Sequence, residues 1–189
     1  MVLIQNTSFD KSNITENPLE EGEYERCVFK NCDFSNADLS EFQFTDCEFI
    51  GCNLSIAKVT RTAFRNIQFK ECKMLGLHFE NCNPFGLSFT FDNCNLSHSC
   101  FYKLKIKKTN FGNCKLNEVD FTEADLNNSV FDKCDLLNSK FDATILEGTD
   151  FRTAFNYCID PEKNKIKKAK FSASGISGLL DKYDIEIEN

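Results

Sequence analysis

The chain has 189 residues, 41% of them hydrophobic, with 29 acids against 22 bases for a net charge of −7. That length suits one folded domain, and the negative balance argues against direct nucleic-acid binding while leaving room for a basic partner. Twenty Phe, no Trp, 3 Pro and 8 Gly make an unusual composition that asks for a specific packing explanation.

The N-terminal stretch "MVLIQNTSFDKSN" lacks a basic segment followed by a long apolar run, and nowhere do 18 apolar residues follow one another. A cytoplasmic protein without a membrane span is the expectation. Eleven cysteines, an odd number in a long chain, do not read as a disulfide framework.

From Phe9 onward a large apolar residue recurs every fifth position: Phe9, Ile14, Leu19, Tyr24, Phe29, Phe34 and so on to Phe79. The beat then slips by two, resumes at Leu96 and runs through Phe101, Ile106, Phe111 and Leu116 to Phe151. Two residues before each centre stands a small or modest side chain. A period of five fits neither a helix nor a simple strand. It does fit a coil of four such units, one to a side.

Grouping by twenty tests this. Phe9, Phe29, Phe49, Phe69, Phe89, Phe111, Phe131, Phe151 and Phe171 fall in one column once the slip is subtracted. So do Cys32, Cys52, Cys72, Cys94, Cys114 and Cys134. The two extra residues are expected between 84 and 96 as a bulge near Pro84 and Phe85. The predicted architecture is therefore an all-β, quadrilateral parallel β-helix of about eight coils over 1–171, with a separate tail over 172–189. Eight coils at a rise of about 4.8 Å give a rod about 40 Å long.

Nine cysteines (Cys27, Cys32, Cys47, Cys52, Cys72, Cys82, Cys94, Cys114 and Cys134) occupy the slot two before a centre, where a small apolar side chain packs inward. Cys100 and Cys158 do not, and are expected to be exposed and reactive. His78 and His98 fall on outward slots outside any acid, base or nucleophile constellation. Repeat-bound Asp side chains are expected to bind turn backbone. No phosphate loop, dinucleotide fingerprint or HExxH motif occurs. The reading is of a non-enzyme with no cofactor, no metal site and no small-molecule substrate.

Charge is banded. Residues 10–48 are net −8, 56–115 net +7, 117–150 net −7 and 151–189 net +1. Duplex DNA over a 40 Å rod would carry about 24 charges, far more than the whole chain. The 117–150 band nonetheless matches the about five charges of DNA over its own rise. Its acids, Glu118, Asp120, Glu123, Asp125, Asp132, Asp135, Asp142, Glu147 and Asp150, form the candidate partner-binding surface. The basic run "KLKIKK", 103–108, reads as a solvated face or a partner contact.

In the tail, Ser172 or Ser174 can cap a short helix that presents Ile176, Leu179, Leu180 and Tyr183 at helical spacing. Ile185 and Ile187 alternate with acids as a strand would. These six apolar residues are the expected homodimer interface, with capping of the last coil as the simpler role.

The repeats "CDFSNADLSEFQF" and "TEADLNNSVFDKCDLLNSKFDATILEGTDF" resemble those of the pentapeptide-repeat family over about residues 9–171. The resemblance implies a right-handed quadrilateral β-helix. The layout, with "DPEKNKI" at 160–166 and an apolar tail, is similar to the quinolone-resistance (Qnr) group and its microcin-immunity and mycobacterial relatives. That similarity implies a tail-to-tail dimeric DNA mimic that binds a type II topoisomerase, DNA gyrase or topoisomerase IV, and protects it from inhibitors such as quinolones. The nine acids would then meet the enzyme's DNA saddle, and Ile176, Leu179 and Leu180 would form the dimer seam. Long projecting loops found in many of that group are missing here, and the basic middle band departs from a uniform mimic. A protein-docking scaffold or regulator with no topoisomerase role is the alternative.

Overall fold

The protein is described by a computed structural model covering residues 2–14 and 16–186. Eleven short strands follow in order: β1 (Val2–Gln5), β2 (Ser8–Asp10), β3 (Gly22–Glu25), β4 (Val28–Lys30), β5 (Gln43–Thr45), β6 (Glu48–Ile50), β7 (Ala63–Arg65), β8 (Ile67–Lys70), β9 (Phe89–Asp92), β10 (Asn110–Gly112) and β11 (Val130–Asp132). All pairing is parallel. One sheet runs β1-β3-β5-β7 and forms the first side of a solenoid; a second runs β2-β4-β6-β8-β9-β10-β11 and forms the second side. Single parallel bridges supply the other two. Asn13, Asp33, Asn53, Lys73, Asn95, Lys115, Asp135 and Phe155 pair in sequence along the third side. Asp38 with Lys58, then His78, Cys100, Asp120 and Lys140, mark the fourth. The first side continues at Lys105, Asp125, Ile145 and Lys165, and the second at Val130, Asp150 and Lys170.

The partners lie twenty residues apart, so one lap takes twenty residues and identical side chains stack. Nine Phe rings form a continuous pile, with Phe29 and Phe49 at 4.8 Å, Phe111 and Phe131 at 4.8 Å, and Phe151 and Phe171 at 5.4 Å between centroids. The pile differs from the sequence reading at one rung. Phe69 pairs with Phe91, not Phe89, and the rings stack at 5.4 Å. Phe89 instead pairs with Ile67. The reason is where the two extra residues enter. Asn83 N–H still donates in register to Thr62 O, whereas Ile67 N–H reaches Ser88 O, two positions late. The insertion therefore lies in Pro84–Leu87, ahead of the ladder position, and lifts Phe85 out to 78% exposure.

The corners explain the abundance of Asn. Most corners take a left-handed residue, and Asn31, Asn36, Asn66, Asn93, Asn113, Asn128 and Asn138 all adopt φ between 51° and 58°. Asn enters that region more readily than most residues because its short polar side chain bonds locally. Beside these corners the Asp side chains accept backbone N–H groups two residues on, as Asp33 does from Ser35 at 2.9 Å and Asp120 from Thr122 at 2.8 Å.

All nine cysteines of the inward slot are buried and free. Most of their thiols donate to backbone oxygens: Cys52 to Phe29 O, Cys72 to Phe49 O and Cys134 to Phe111 O, each at 3.3 Å. Thr62, Ser99, Thr144 and Thr149 do the same with hydroxyls, to Leu39 O at 2.7 Å, Met74 O at 2.8 Å, and Phe121 O and Leu126 O at 2.9 Å. The slot thus favours a small side chain that carries a donor. Burial costs little when the hydrogen bond is made.

The tail differs from the single helix expected. Ser172 caps a 3-10 turn at Ala173–Gly175, accepting from Gly175 N–H at 3.1 Å. The α-helix, α1, is only Ser177–Leu180, and a second 3-10 turn spans Asp181–Tyr183. Ile185 is in no strand, and Asp184 turns the chain with φ of 48°; Ile187 lies outside the described residues. What shortens the helix is contact with the last coil. Gly178 sits against the Tyr157 backbone, where a Cβ would collide with Tyr157 O, and Ile159 N–H donates to Gly178 O at 2.9 Å.

Candidate interaction surface

The solenoid distributes the nine candidate acids round the rod. Asp125 and Glu147 stand on the first side, Asp132 and Asp150 on the second, Asp135 on the third, and Asp120 and Asp142 on the fourth. Glu118 and Glu123 occupy corners, each with φ of 57°. No one side gathers them. They form a belt, legible only once the lap length is known.

Four of the nine are also paired. Glu123 meets Lys103 at 3.6 Å and the Tyr102 hydroxyl at 3.1 Å. Asp125 meets Lys107 at 3.1 Å, Glu118 meets His98 at 3.4 Å, and Asp150 meets Arg152 at 2.7 Å. Hydrogen bonds from Arg152, with its charge and that of Lys170 adding, hold the Asp150 carboxyl below the usual carboxylate range. Asp120, Asp132, Asp135, Asp142 and Glu147 carry no ion pair among the described residues. Glu118 and Glu123 are exposed and their pairs contribute little to stability, whereas the Asp125 and Asp150 carboxyls are mostly buried; the pairs of Glu118, Glu123 and Asp125 compensate charge across the seam between bands.

The opposite seam repeats the arrangement. Lys58 meets Asp38 at 2.9 Å, Lys70 meets Glu48 at 3.3 Å, and Arg61 meets Glu41. Hydrogen bonds from Ser40 and then Lys58 pull the Asp38 carboxyl down to about 2. The basic middle band is thus clamped on both ends by cross-coil pairs. This includes Lys103 and Lys107 of the run at 103–108.

At the C-terminal end the six expected interface residues divide. Leu179 packs against the core and Leu180 is half-buried, whereas Ile176 (47%), Tyr183 (52%) and Ile185 (56%) are exposed. Lys182 holds this tail in place by ion pairs to Asp160 at 2.7 Å and Glu162 at 2.8 Å, and the Tyr183 hydroxyl donates to Glu162 at 3.1 Å. Between tail and third side lies a cleft of about 520 Å³ bordered by Leu137, Phe155, Tyr157, Gly175 and Asp181. The tail therefore packs against the last coil while keeping three apolar side chains outward.

Cys158 is exposed as expected and Cys100 is half-buried. Neither is activated. Burial, with the Glu80 and Asp120 carboxylates adding, pushes the Cys100 thiol up to about 11. Burial and then the Asp181 carboxylate, 3.2 Å away, raise that of Cys158. Reactivity follows the thiolate, so the expectation of two reactive thiols is corrected by their acidic neighbours.

His78 is exposed, as its slot implied, but it is not solitary. Its Nδ1 lies 2.8 Å from Glu80 Oε1, and Cys100 is the adjacent rung. Sequence reasoning missed this group because its members are 2 and 22 residues apart. Only the lap plus the two-residue insertion makes 22 a near contact.

Parallel coils of twenty residues with centres every five are the geometry of one known repeat family, and a family model described as "Pentapeptide repeat region" matches residues 22–90 and 87–155. The chain belongs to the pentapeptide-repeat family. Among solved structures, this pentapeptide-repeat chain is similar to trypsin-treated QnrB1, "a plasmid-mediated fluoroquinolone resistance protein", with a TM-score of 0.63 and 19% identity over 99% of this chain and 98% of that one. Full-length QnrB1 gives a TM-score of 0.55 and 20% identity over 97% and 100% of the two chains. At these identities the likeness is one of fold. No curated protein matches the sequence significantly. No helix among the described residues is long and apolar enough to cross a membrane.

Proposed function

We propose that this pentapeptide-repeat protein is a non-enzymatic, cytoplasmic binding protein. In this reading it engages a type II topoisomerase, DNA gyrase or topoisomerase IV, as a homodimeric DNA mimic and protects it from quinolone-type inhibitors. One observation carries the reading: the solenoid and its docked tail match QnrB1, a fluoroquinolone resistance protein, along essentially the whole of both chains. The acidic belt supports it locally. Asp120, Asp132, Asp135, Asp142 and Glu147 offer carboxylates with no ion pair among the described residues to a basic surface, close to the end where Ile176, Tyr183 and Ile185 would meet a second copy. DNA supercoiling by gyrase, measured with and without a quinolone, tests it. Restored supercoiling in the drug's presence is expected, and neither rescue nor inhibition at micromolar protein would remove the idea.

A second reading has its own support. The division of the acids among four sides and their pairing with the basic band suit a docking module for another protein better than a uniform imitation of duplex DNA. Under it, supercoiling is untouched and gyrase subunits do not co-purify with the protein.

A further inference from the structure

The corner that follows the fourth side is left-handed in successive coils, at Glu41 (68°), Arg61 (58°), Lys103 (59°), Glu123 (57°) and Ala143 (52°). Between Glu41 and Ala143 one coil breaks the series. There Phe79–Asn81 forms a 3-10 turn, closed by Cys82 N–H donating to Phe79 O at 2.9 Å, immediately before the Pro84–Leu87 insertion. Equivalent positions beside the corner hold Ser40, Thr60, Tyr102, Thr122 and Asp142; here the residue is Glu80, and the tighter turn brings its carboxylate back against the fourth side. Oε1 of Glu80 faces His78 Nδ1 at 2.8 Å, while Oε2 is buried and accepts no hydrogen bond.

Cys100 follows His78 along the same side through a parallel bridge. A ring nitrogen of His78, a carboxylate oxygen of Glu80 and the Cys100 sulfur all lie within 4.8 Å of one another. We propose that His78, Glu80 and Cys100 bind a zinc-class divalent metal ion, with a fourth position open to water or to a ligand from a partner.

The donor set selects the class. One thiolate, one imidazole and one carboxylate suit zinc, which takes S, N and O ligands tetrahedrally and leaves a position open when the protein supplies three. Calcium and magnesium demand oxygen ligands throughout and are excluded by the sulfur and nitrogen. Bonds of about 2.0 to 2.3 Å place tetrahedral ligands roughly 3.3 to 3.8 Å apart. The observed spread therefore closes with a shift of about 1 Å, which the exposed His78 side chain can make by rotation. Binding forms the metal–sulfur bond as the thiol proton leaves to water. Electrostatics point the same way, since Asp120 on the next rung adds negative charge while Lys58, one coil earlier, is held by Asp38 at 2.9 Å. The Glu80 Oε2 atom agrees with this placement: it is a desolvated acceptor without a hydrogen bond of ordinary geometry, beside the Cys100 thiol.

The experiment is a titration of the reduced, full-length protein with Co2+, which reports thiolate ligation by a near-ultraviolet charge-transfer band and tetrahedral geometry by its visible absorption. One equivalent should saturate both, and Zn2+ should displace it. Cys100→Ser should abolish the charge-transfer band, and His78→Ala and Glu80→Gln should each weaken binding by about tenfold or more. Cys158→Ser should change nothing. Circular dichroism of each variant establishes that the solenoid is intact, and zinc-edge X-ray absorption on the unmodified protein should show one sulfur among N and O ligands without any substitution. A band that is missing from the unmodified protein, that survives in Cys100→Ser, or that vanishes only in Cys158→Ser would overturn the proposal, as would a zinc spectrum without sulfur.

Discussion

Phe111 and Phe131 lie face to face, their centroids 4.8 Å apart and their planes 2° from parallel, and both meet the edge of Phe121 at 81° and 82°. Phe121 in turn stacks on Phe101 and Phe141 at 5.2 Å. Two aromatic piles therefore interlock through edge-to-face contacts, the arrangement that ring quadrupoles favour. Truncating Phe131 or Phe111 to Ala removes a fully buried ring and its neighbours cannot collapse past the coil spacing. A loss of about 3 to 5 kcal/mol is expected in denaturant unfolding. Phe9→Ala, at a half-buried first rung stacked on Phe29 alone among the ladder rings, should cost less.

Ile56 stands at a corner with φ of 57° while 66% exposed, so its side chain gains little burial to offset a conformation that β-branched residues resist. Ile56→Asn should stabilise the protein by about 1 kcal/mol. Gly148→Ala should do the opposite by about 1 to 2 kcal/mol, since at φ of 69° the new Cβ would collide with Asn128 Oδ1. Thermal unfolding of the two variants reads both signs.

The docking of the tail should depend on acid pH. Lys182 holds the carboxyls of Asp160 and Glu162 below their ordinary values. Groups lowered on folding favour the docked form above the ordinary carboxylate range and lose that contribution as pH falls through their lowered values. Below about pH 4, the amide of Ile159, which donates to Gly178 O across the docked tail, should therefore lose protection relative to its intrinsic exchange rate while those of Phe111 and Phe131 stay protected. Lys182→Met should abolish the difference between neutral and acid pH.

Alkylation should find Cys158 before the nine interior cysteines, which should react only on unfolding. The reaction should be slow at neutral pH and accelerate as pH rises, because Asp181 disfavours the thiolate. Asp181→Asn should speed it, as followed by mass spectrometry of the modified peptide.

If the exposed tail residues join two copies, replacing Ile176 with Asp and Tyr183 with Ser should convert a dimer to a monomer in light scattering. The solenoid's circular dichroism should remain unchanged, since neither side chain is part of the core.

The cross-section was legible because each of its positions selects one kind of chemistry. The ladder demands Phe and the inward slot a small side chain. Phe89 was misplaced because Phe89 and Phe91 are two residues apart and equally suited to the ladder; composition cannot choose between them, and only the backbone register of Asn83 and Ser88 does. The hydrogen-bond role of the inward slot was also hidden, since Cys and Ala look alike to a size argument until Thr62 and Thr144 are seen donating across coils. The belt of acids was found as a list of residues, while its division among four sides depended on the lap. The group at His78, Glu80 and Cys100 was illegible for a different reason: it depends on one anomalous 3-10 corner, which a regular repeat gives no cause to expect.

The Pro84–Leu87 bulge restores the register on its far side, so Lys73 still bridges Asn95 and the cysteine and phenylalanine columns run through. An interruption healed within a single corner means that neighbouring coils recognise one another's edge and not their place in the chain. Such a molecule can be lengthened or shortened by whole laps like a ruler cut at its marks, keeping both ends while changing the distance between whatever it touches.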